Sequence, residues 1–428
     1  MGVGEQGKEM QSGRRDLRKH SSLVCAVLAL TMVAGIAERA GAQQTTEIEQ
    51  LFAQNKIKDG IVKPAKGLLQ YPYLVPSGPY YQMYDWDGYF MGVELSYDHE
   101  GKPLATTVED FLSFVGRNAD DTGYTPRTIT TKALWSLPEQ CKPFLAQMAY
   151  RASLTMGSVE WLRPWYKRLA ATLQFWENTR QEPDGLFLWF NGVESGVDNN
   201  PAVIDKPARV TEGVDLQCYM YREYRSMALL AENLGYASDA KKYREKAAAL
   251  KEKIQTQMWS ASAGTFLNID ARTGKKIDIL TWTNLVPLWA GVATKAQAKR
   301  MIEGHLLNPK EFWTPYGIRT LAPNQKLYDP MHGYWRGPVW ILPNYLLMHG
   351  LMNYGYDKQA VVLAERTRAL LVRDLKATGG MNECYNPETG KPEGAGRFVS
   401  WDLLGEHMVE EAKTGYDPTA LTVDGIAL

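Results

Sequence analysis

The chain is poor in cysteine, shows no excess of either charge, and contains one long apolar run. Cys25 lies in that run; the remaining Cys141, Cys218 and Cys384 are odd in number and never spaced C-x-x-C, so neither a disulfide framework nor a cysteine-built zinc site is indicated. The six histidines, His20, His99, His305, His332, His349 and His407, never form HxxH or HExxH. A histidine-built metal centre is therefore not expected, and nothing calls for another cofactor. Lys and Arg number 48 and Asp and Glu also 48, which removes the basic footprint needed to hold nucleic acid or an anionic membrane. No P-loop, no GxSxG and no GxGxxG after a strand occurs, so the common nucleotide-hydrolysing, serine-nucleophile and dinucleotide-binding arrangements are set aside.

What is present is ample core material: 45% of residues are hydrophobic and 11% aromatic in 428. The first 42 residues have the order of an export signal. Arg14, Arg15, Arg18 and Lys19 precede the apolar run Leu23 to Ala37, and Ala40-Gly41-Ala42 offers a small-residue cleavage site. Arg14-Arg15 hints at twin-arginine export. The run is short of the ~20 residues that span a bilayer, although a membrane anchor is its alternative reading. The expectation is a signal at 1–42, one domain over 43–428, no stable membrane association after processing, and a secreted or periplasmic location. Without residues 1–42 the balance is 42 basic against 44 acidic groups, which suits neutral, uncharged ligands best.

Helical periodicity dominates from about residue 106. Over 237–259, Tyr243, Ala247, Leu250, Ile254 and Met258 recur at steps of three and four, opposite a Lys, Glu and Gln face. Over 213–234, Leu216, Met220, Met227, Leu230 and Leu234 do the same before Gly235, predicting an antiparallel helix pair across a short turn. Similar patterns recur near 106–117, 143–155, 158–179, 281–303, 338–353, 358–375 and 400–412, with no strand-helix alternation. Short runs at 185–190 and 264–269 could be hairpin strands. Loops at 76–92, 181–212, 310–337 and 378–399 exceed the usual length of helix connections, and such loops are usually functional.

Those loops hold four motifs rich in Trp, Tyr and carboxylates: YDWDGYF at 84–90, NGVESGVDNNP at 191–201, YWRGPVW at 334–340 and MNECYNPETG at 381–390. Aromatic faces stack on the CH faces of a sugar, and carboxylates and Arg bind its hydroxyls, so a small carbohydrate is the expected partner. The bland alternative makes Trp86, Trp335 and Trp340 core residues. Asp198 and Glu383 both fall in irregular backbone, where a side chain can be aimed into a cleft. Glycoside hydrolysis needs one protonated carboxyl and one carboxylate across the ring. Against this, Asp198 could serve an Asx-turn and Glu383 could be a solvated loop charge.

Taken together, WD at 86–87, ESGVDNNP at 194–201, YWRGPVW and ECYNPETG resemble glycoside hydrolase family 63, whose clan includes the family 37 trehalases. The bacterial hydrolases of mannosylglycerate and glucosylglycerate are the most similar-looking members. The resemblance spans residues 80 to 401 and implies an all-α (α/α)6 barrel with catalytic loops at one mouth. It implies Asp198 as general acid and Glu383 as general base of an inverting exo-α-glycosidase, acting on a terminal α-glucosyl or α-mannosyl residue. It further implies Trp86 and Asp87 as holders of the terminal sugar, Tyr334, Trp335 and Trp340 as an aromatic wall, and Tyr80, Gln140 and Asn199 as further substrate contacts, with Arg336 as a buttress of its loop. Ala202 follows Asn199-Asn200-Pro201 where the family commonly has Asn-Ser-Pro and a large residue, so the wall beside the leaving group is open to remodelling. Residues 43–79 are too few for the N-terminal β-domain of the eukaryotic processing glucosidases. A trehalase and a non-catalytic sugar-binding protein remain the alternatives.

Overall fold

A computed structural model describes Met1 and residues 45–116, 123–203 and 209–421, without the side chains of 134–138. Apart from Met1, the expected signal segment 1–42 lies outside the described residues. The chain divides into two units, Met1–Gln50 and Leu51–Leu428. In the first, Thr46 and Glu49 bond reciprocally through side chain and backbone, a capping box that starts a helix at Glu47.

In the second unit, six helical segments close a ring, each packed on the next. Asp85–Leu95 meets Leu145–Met156, followed by Val214–Asn233, Val286–Ala290, Ile341–Asn353 and Ser400–Gly405, which returns to Asp85–Leu95. Outside them, Lys102–Ser113 packs on Leu145–Met156, Ala237–Lys253 on Val214–Asn233, and Asp357–Thr378 on Ile341–Asn353. This is an (α/α)6 barrel. Burial separates the layers: every residue of Asp85–Leu95 is buried, whereas Ala237–Lys253 buries only Ala240, Tyr243, Ala247 and Leu250. An inner helix meets protein on all sides and an outer one has a solvent face.

The predicted pair over 213–259 forms as expected and turns at Gly235, where Tyr236 N donates to Ala231 O at 2.7 Å. Two expectations need correction. The loop expected over 76–92 turns into the inner helix Asp85–Leu95, whose all-round burial erases the one-sided apolar stripe. The helix expected over 281–303 is several pieces, because Thr294 and Gln297 form a capping box that starts a new helix at Lys295.

Short antiparallel ladders decorate the helical body. Met83–Tyr84, Pro126–Ile129 and Leu134–Gln140 form one sheet, and Asn382–Tyr385 pairs with Pro392–Gly396. The runs at 185–190 and 264–269 do not pair with each other; both reach Thr211–Glu212, through Leu188 and through Ile269. Cys141, Cys218 and Cys384 are buried free thiols. No helix among the described residues is long and apolar enough to cross a membrane.

Candidate active site

Three inner segments begin at one cavity of about 480 Å³. Asp85–Leu95 contributes Trp86 and Asp87 from its first turn, Trp340 immediately precedes Ile341–Asn353, and Ser400–Gly405 supplies Trp401. Helix N-termini carry partial positive charge, so this end of the barrel favours carboxylates. Eight of the ten expected site residues line the cavity: Tyr80, Trp86, Asp87, Asp198, Tyr334, Trp335, Trp340 and Glu383.

Glu383 is held from three sides. Tyr80 and Tyr334 donate phenolic hydrogen bonds to its Oε1 at 2.7 and 2.9 Å, and Ala395 N donates to Oε2 at 3.1 Å. Burial and the Glu383 charge push both phenols above their ordinary pKa, so they remain donors. The irregular backbone expected at Glu383 is a strand beside a bulge: Asn382 faces Gly396 and Cys384 faces Glu393, and the register slips between them. The extra residue is on the opposing strand, where Gly394 and Ala395 stand across from Glu383, and the regular alternation breaks beside it. A Cβ on Gly394 would stand 2.9 Å from Glu383 Oε2, closer than real contacts allow, so the opposing strand needs glycine there.

Asp198 lies in a turn after the short helix Gly192–Ser195, which Asn191 caps by accepting from Glu194 N at 2.8 Å. Glu194 anchors the segment through Arg180 at 2.8 Å and through Phe190 N and Gln140 N. Gly196, at φ +76°, lets the chain graze the wall, where a Cβ would lie 2.6 Å from the Trp86 ring. Beyond it, Asp198 Oδ1 is buried with no partner among the described residues. Burial pushes the Asp198 carboxyl above its ordinary pKa and the Glu383 charge adds to this, while Arg127 and Lys142 oppose it. No backbone N–H among the described residues bonds to its side chain, as an Asx-turn would require.

Asp87 is buried and accepts from Ser400 Oγ at 2.7 Å. Burial pushes its pKa to about 7, with Asp85 adding to the shift and Ser400, Lys142 and Arg127 opposing it. It is not an N-cap, because the helix starts two residues earlier, after Tyr84. Trp335 stacks on Trp340 with centroids 3.7 Å apart and planes at 8°, and Trp401 meets Trp86 edge-on at 5.5 Å. Trp86, Trp335 and Trp340 are 3%, 1% and 0% exposed, so they belong to the core and to the cavity wall at once. Tyr334 has φ +59°, a strained conformation of the kind that collects at functional sites, and its carbonyl accepts from Trp340 Nε1 at 2.9 Å.

Residues 80–401 match the mannosylglycerate hydrolase MGH1-like glycoside hydrolase domain. The chain belongs to that family. Among curated members, the mannosylglycerate hydrolase of Rubrobacter radiotolerans is 33% identical over 187 residues, 42% of this chain and 39% of the relative. The probable mannosyl-oligosaccharide glucosidase of Schizosaccharomyces pombe is 26% identical over 297 residues, 64% of this chain and 36% of the relative. The match thus spans less than two fifths of either relative's length. The crystal structure of the Thermus thermophilus GH63 mannosylglycerate hydrolase in complex with glucose superposes with a TM-score of 0.66 at 19% identity, covering 82% of this chain and 98% of that one. The barrel is therefore the fold of this MGH1-like domain.

Two expected contacts of the MGH1-like site do not line the cavity. Gln140 sits behind the wall, with its backbone N on Glu194 Oε1 and its Nε2 buried without a partner among the described residues. Asn199 acts as a tie between loops, accepting from Trp335 N at 3.1 Å and donating to Gly333 O at 2.8 Å. Arg336 likewise stays with its own loop, Nε on Gly333 O at 3.5 Å. Cavity residues absent from the sequence expectation include Arg127, Tyr84, Gln82, Phe398 and Trp401. Trp401 was legible as an aromatic at a predicted helix start; Arg127, in Thr125-Pro126-Arg127, carries no local signal. Away from the cavity, Glu94, Glu406 and His407 could offer ligand atoms within 4.8 Å of one another. The Lys58 ammonium stands among them, 2.8 Å from Glu406 and 3.6 Å from Glu94.

Proposed function

We propose that this chain is an exported, inverting exo-α-glycosidase that removes a terminal α-glucosyl or α-mannosyl residue from a small glycoside. The observation that carries this reading is the unlike surroundings of two carboxyls in one cavity: Asp198 with a buried oxygen that has no partner among the described residues, Glu383 gripped by three donors. The former suits a general acid that retains its proton until the glycosidic oxygen takes it; the latter suits a positioned base. A base must have a lone pair to spare. Two phenols occupy Oε1 and one N–H occupies Oε2, so the remaining acceptor position is on Oε2, beside Gly394. The attacking water gives its proton there and its oxygen to the anomeric carbon, while Asp198 protonates the leaving oxygen. Asp87, with Trp86 at its side, holds the terminal sugar's hydroxyls.

The MGH1-like relatives named for mannosylglycerate support a small conjugate over a polymer. The signal at 1–42, the single domain over 43–428 and the location outside the cytoplasm rest on the order of charges and apolar residues in the first 42 positions. Purified protein offered glucosylglycerate, mannosylglycerate, trehalose and nitrophenyl α-glycosides should cleave at least one, and proton NMR should show the β-anomer released first. Trehalose as the sole substrate favours the trehalase alternative. Tight sugar binding without cleavage favours the binding-protein alternative, and initial release of the α-anomer removes the inverting roles of Asp198 and Glu383.

A further inference from the structure

Tyr84 carries a hydroxyl proton that its protein partner leaves free for the cavity. The cause is a relay of hydrogen-bond polarity that begins in the backbone. Tyr81 N can only donate, and it donates to Gln82 Oε1 at 3.1 Å, which fixes which end of the Gln82 amide is oxygen and which is NH2. Gln82 Nε2 then donates to Tyr84 OH at 2.7 Å. A phenol oxygen accepts and its single proton donates, so Tyr84 is the acceptor in this bond and keeps its own proton for another partner. No acceptor for that proton is found among the described residues, and Tyr84 lines the cavity. Burial pushes the phenol above its ordinary pKa, Asp87 and Asp198 add to the shift and Arg127 opposes it, so the proton stays in place.

Other donors of the cavity are already committed. Tyr80 and Tyr334 give their protons to Glu383 Oε1 at 2.7 and 2.9 Å, and the Trp340 indole gives its own to Tyr334 O at 2.9 Å. A sugar presents hydroxyl oxygens that accept as well as protons that donate, and a hydroxyl oxygen left without a donor in a closed site weakens binding. Tyr84 ends the strand Met83–Tyr84 and immediately precedes the helix Asp85–Leu95, so one turn of chain presents Tyr84, Trp86 and Asp87 to the same cavity. We propose that Tyr84 is a substrate-binding residue that donates its phenolic proton to a hydroxyl oxygen of the terminal sugar, and that Gln82 is a positioning residue that keeps this proton aimed at the cavity by occupying the acceptor side of the phenol. This rests on the reading of Trp86 and Asp87 as holders of that sugar.

The test reverses the polarity while keeping the shapes. Tyr84→Phe removes the proton. Gln82→Glu still accepts from Tyr81 N but offers Tyr84 only an acceptor, which draws the phenolic proton out of the cavity. With nitrophenyl α-glucoside and α-mannoside, assayed above neutral pH where the new carboxyl is ionised, each single variant should raise KM by roughly 3- to 10-fold, the range of one neutral hydrogen bond. In Tyr84→Phe kcat should stay within about twofold, as for a bond made equally to bound substrate and transition state. The double variant should have the KM of Tyr84→Phe alone, because position 82 acts through the phenol. All three should melt near the wild type. An unchanged KM in Tyr84→Phe overturns the proposal. So does a Gln82→Glu effect on KM that persists in full in the Tyr84→Phe background, which would mark it as a direct effect of the added charge. If neither glycoside is cleaved, the glycosidase reading fails by itself, and calorimetric titration with glucose and mannose still decides Tyr84. Wild-type binding that weakens several-fold in both single variants supports it; unchanged or absent binding overturns it.

Discussion

Glu383 and Asp198 face one cavity from opposite kinds of backbone. Glu383 stands on a strand whose partner bulges beside it, with three donors on its two oxygens, while Asp198 stands on a turn with Oδ1 buried and without a partner among the described residues. Identical carboxyl chemistry thus meets three donors in one place and an oxygen without a donor in the other. The proposed acid and base roles rest on that difference, because desolvation penalises the ionised form whereas hydrogen-bond donors orient it.

The largest test abolishes each side in turn. Asp198→Asn and Glu383→Gln should each lower kcat by roughly 10²- to 10⁴-fold while melting near the wild type, the usual worth of a general acid or base. If either retains more than about a tenth of the rate, the assignment of that carboxyl fails.

A sharper comparison comes from removing the grip without removing the carboxylate. Tyr80→Phe and Tyr334→Phe each delete one donor to Glu383 Oε1, and the double variant should lose roughly 10- to 100-fold in kcat, as expected for hydrogen bonds to a charged group. The same variants should leave the affinity for a neutral product sugar within a few-fold. A silent double variant would show that the phenols do not position the base.

Smaller again is Gly394→Ala, whose Cβ crowds Glu383 Oε2 at a backbone φ of +68°. We expect about a tenfold loss of kcat together with a lower melting temperature, since a side chain in that conformation costs of order 1 kcal/mol or more. Undiminished turnover would mean that the water does not sit beside Oε2.

The effect read apart from turnover is on stability and concerns Asp87, the third carboxyl of the cavity. Its folded pKa of about 7 stands against an ordinary 3.8, so the folded protein holds a proton that the unfolded chain has already released above about pH 4. Stability present below that pH is lost as the pH rises toward 7 and changes no further above it. Asp87→Asn, neutral throughout, should therefore melt close to the wild type at pH 4 and above it at pH 8. A melting difference that does not grow between those pH values would show that Asp87 is ionised in the folded state.

Much of this architecture is readable in one dimension. The stripe Leu216, Met220, Met227, Leu230 and Leu234 was legible because polar residues such as Asp215, Gln217, Arg222 and Glu223 separate its apolar positions even on an inner helix, and all five side chains are buried. The helix Asp85–Leu95 was not, because a segment buried on every side has no polar face to mark its turns. Asp198, Glu383, Asp87 and the Trp-rich wall stood out as residue types that a core does not group with Gly-Pro turns. Gln140 and Asn199 looked like equals of these, yet the fold assigns them to the backing of the wall.

By itself, the sequence determined the residue types that can do the chemistry, the helical body that carries them and the absence of charge that would direct the chain to nucleic acid. Tertiary structure decided which of those groups share a cavity and what each is bonded to. Asp198 and Glu383 lie far apart in the chain and meet only because the ring of inner helices closes. Glu383 reaches the cavity beside a ladder that slips by one residue between Asn382 and Cys384. Such a slip follows from the partner strand across the pair, and so does the pKa of a buried carboxyl; neither is written in the residues adjacent to it.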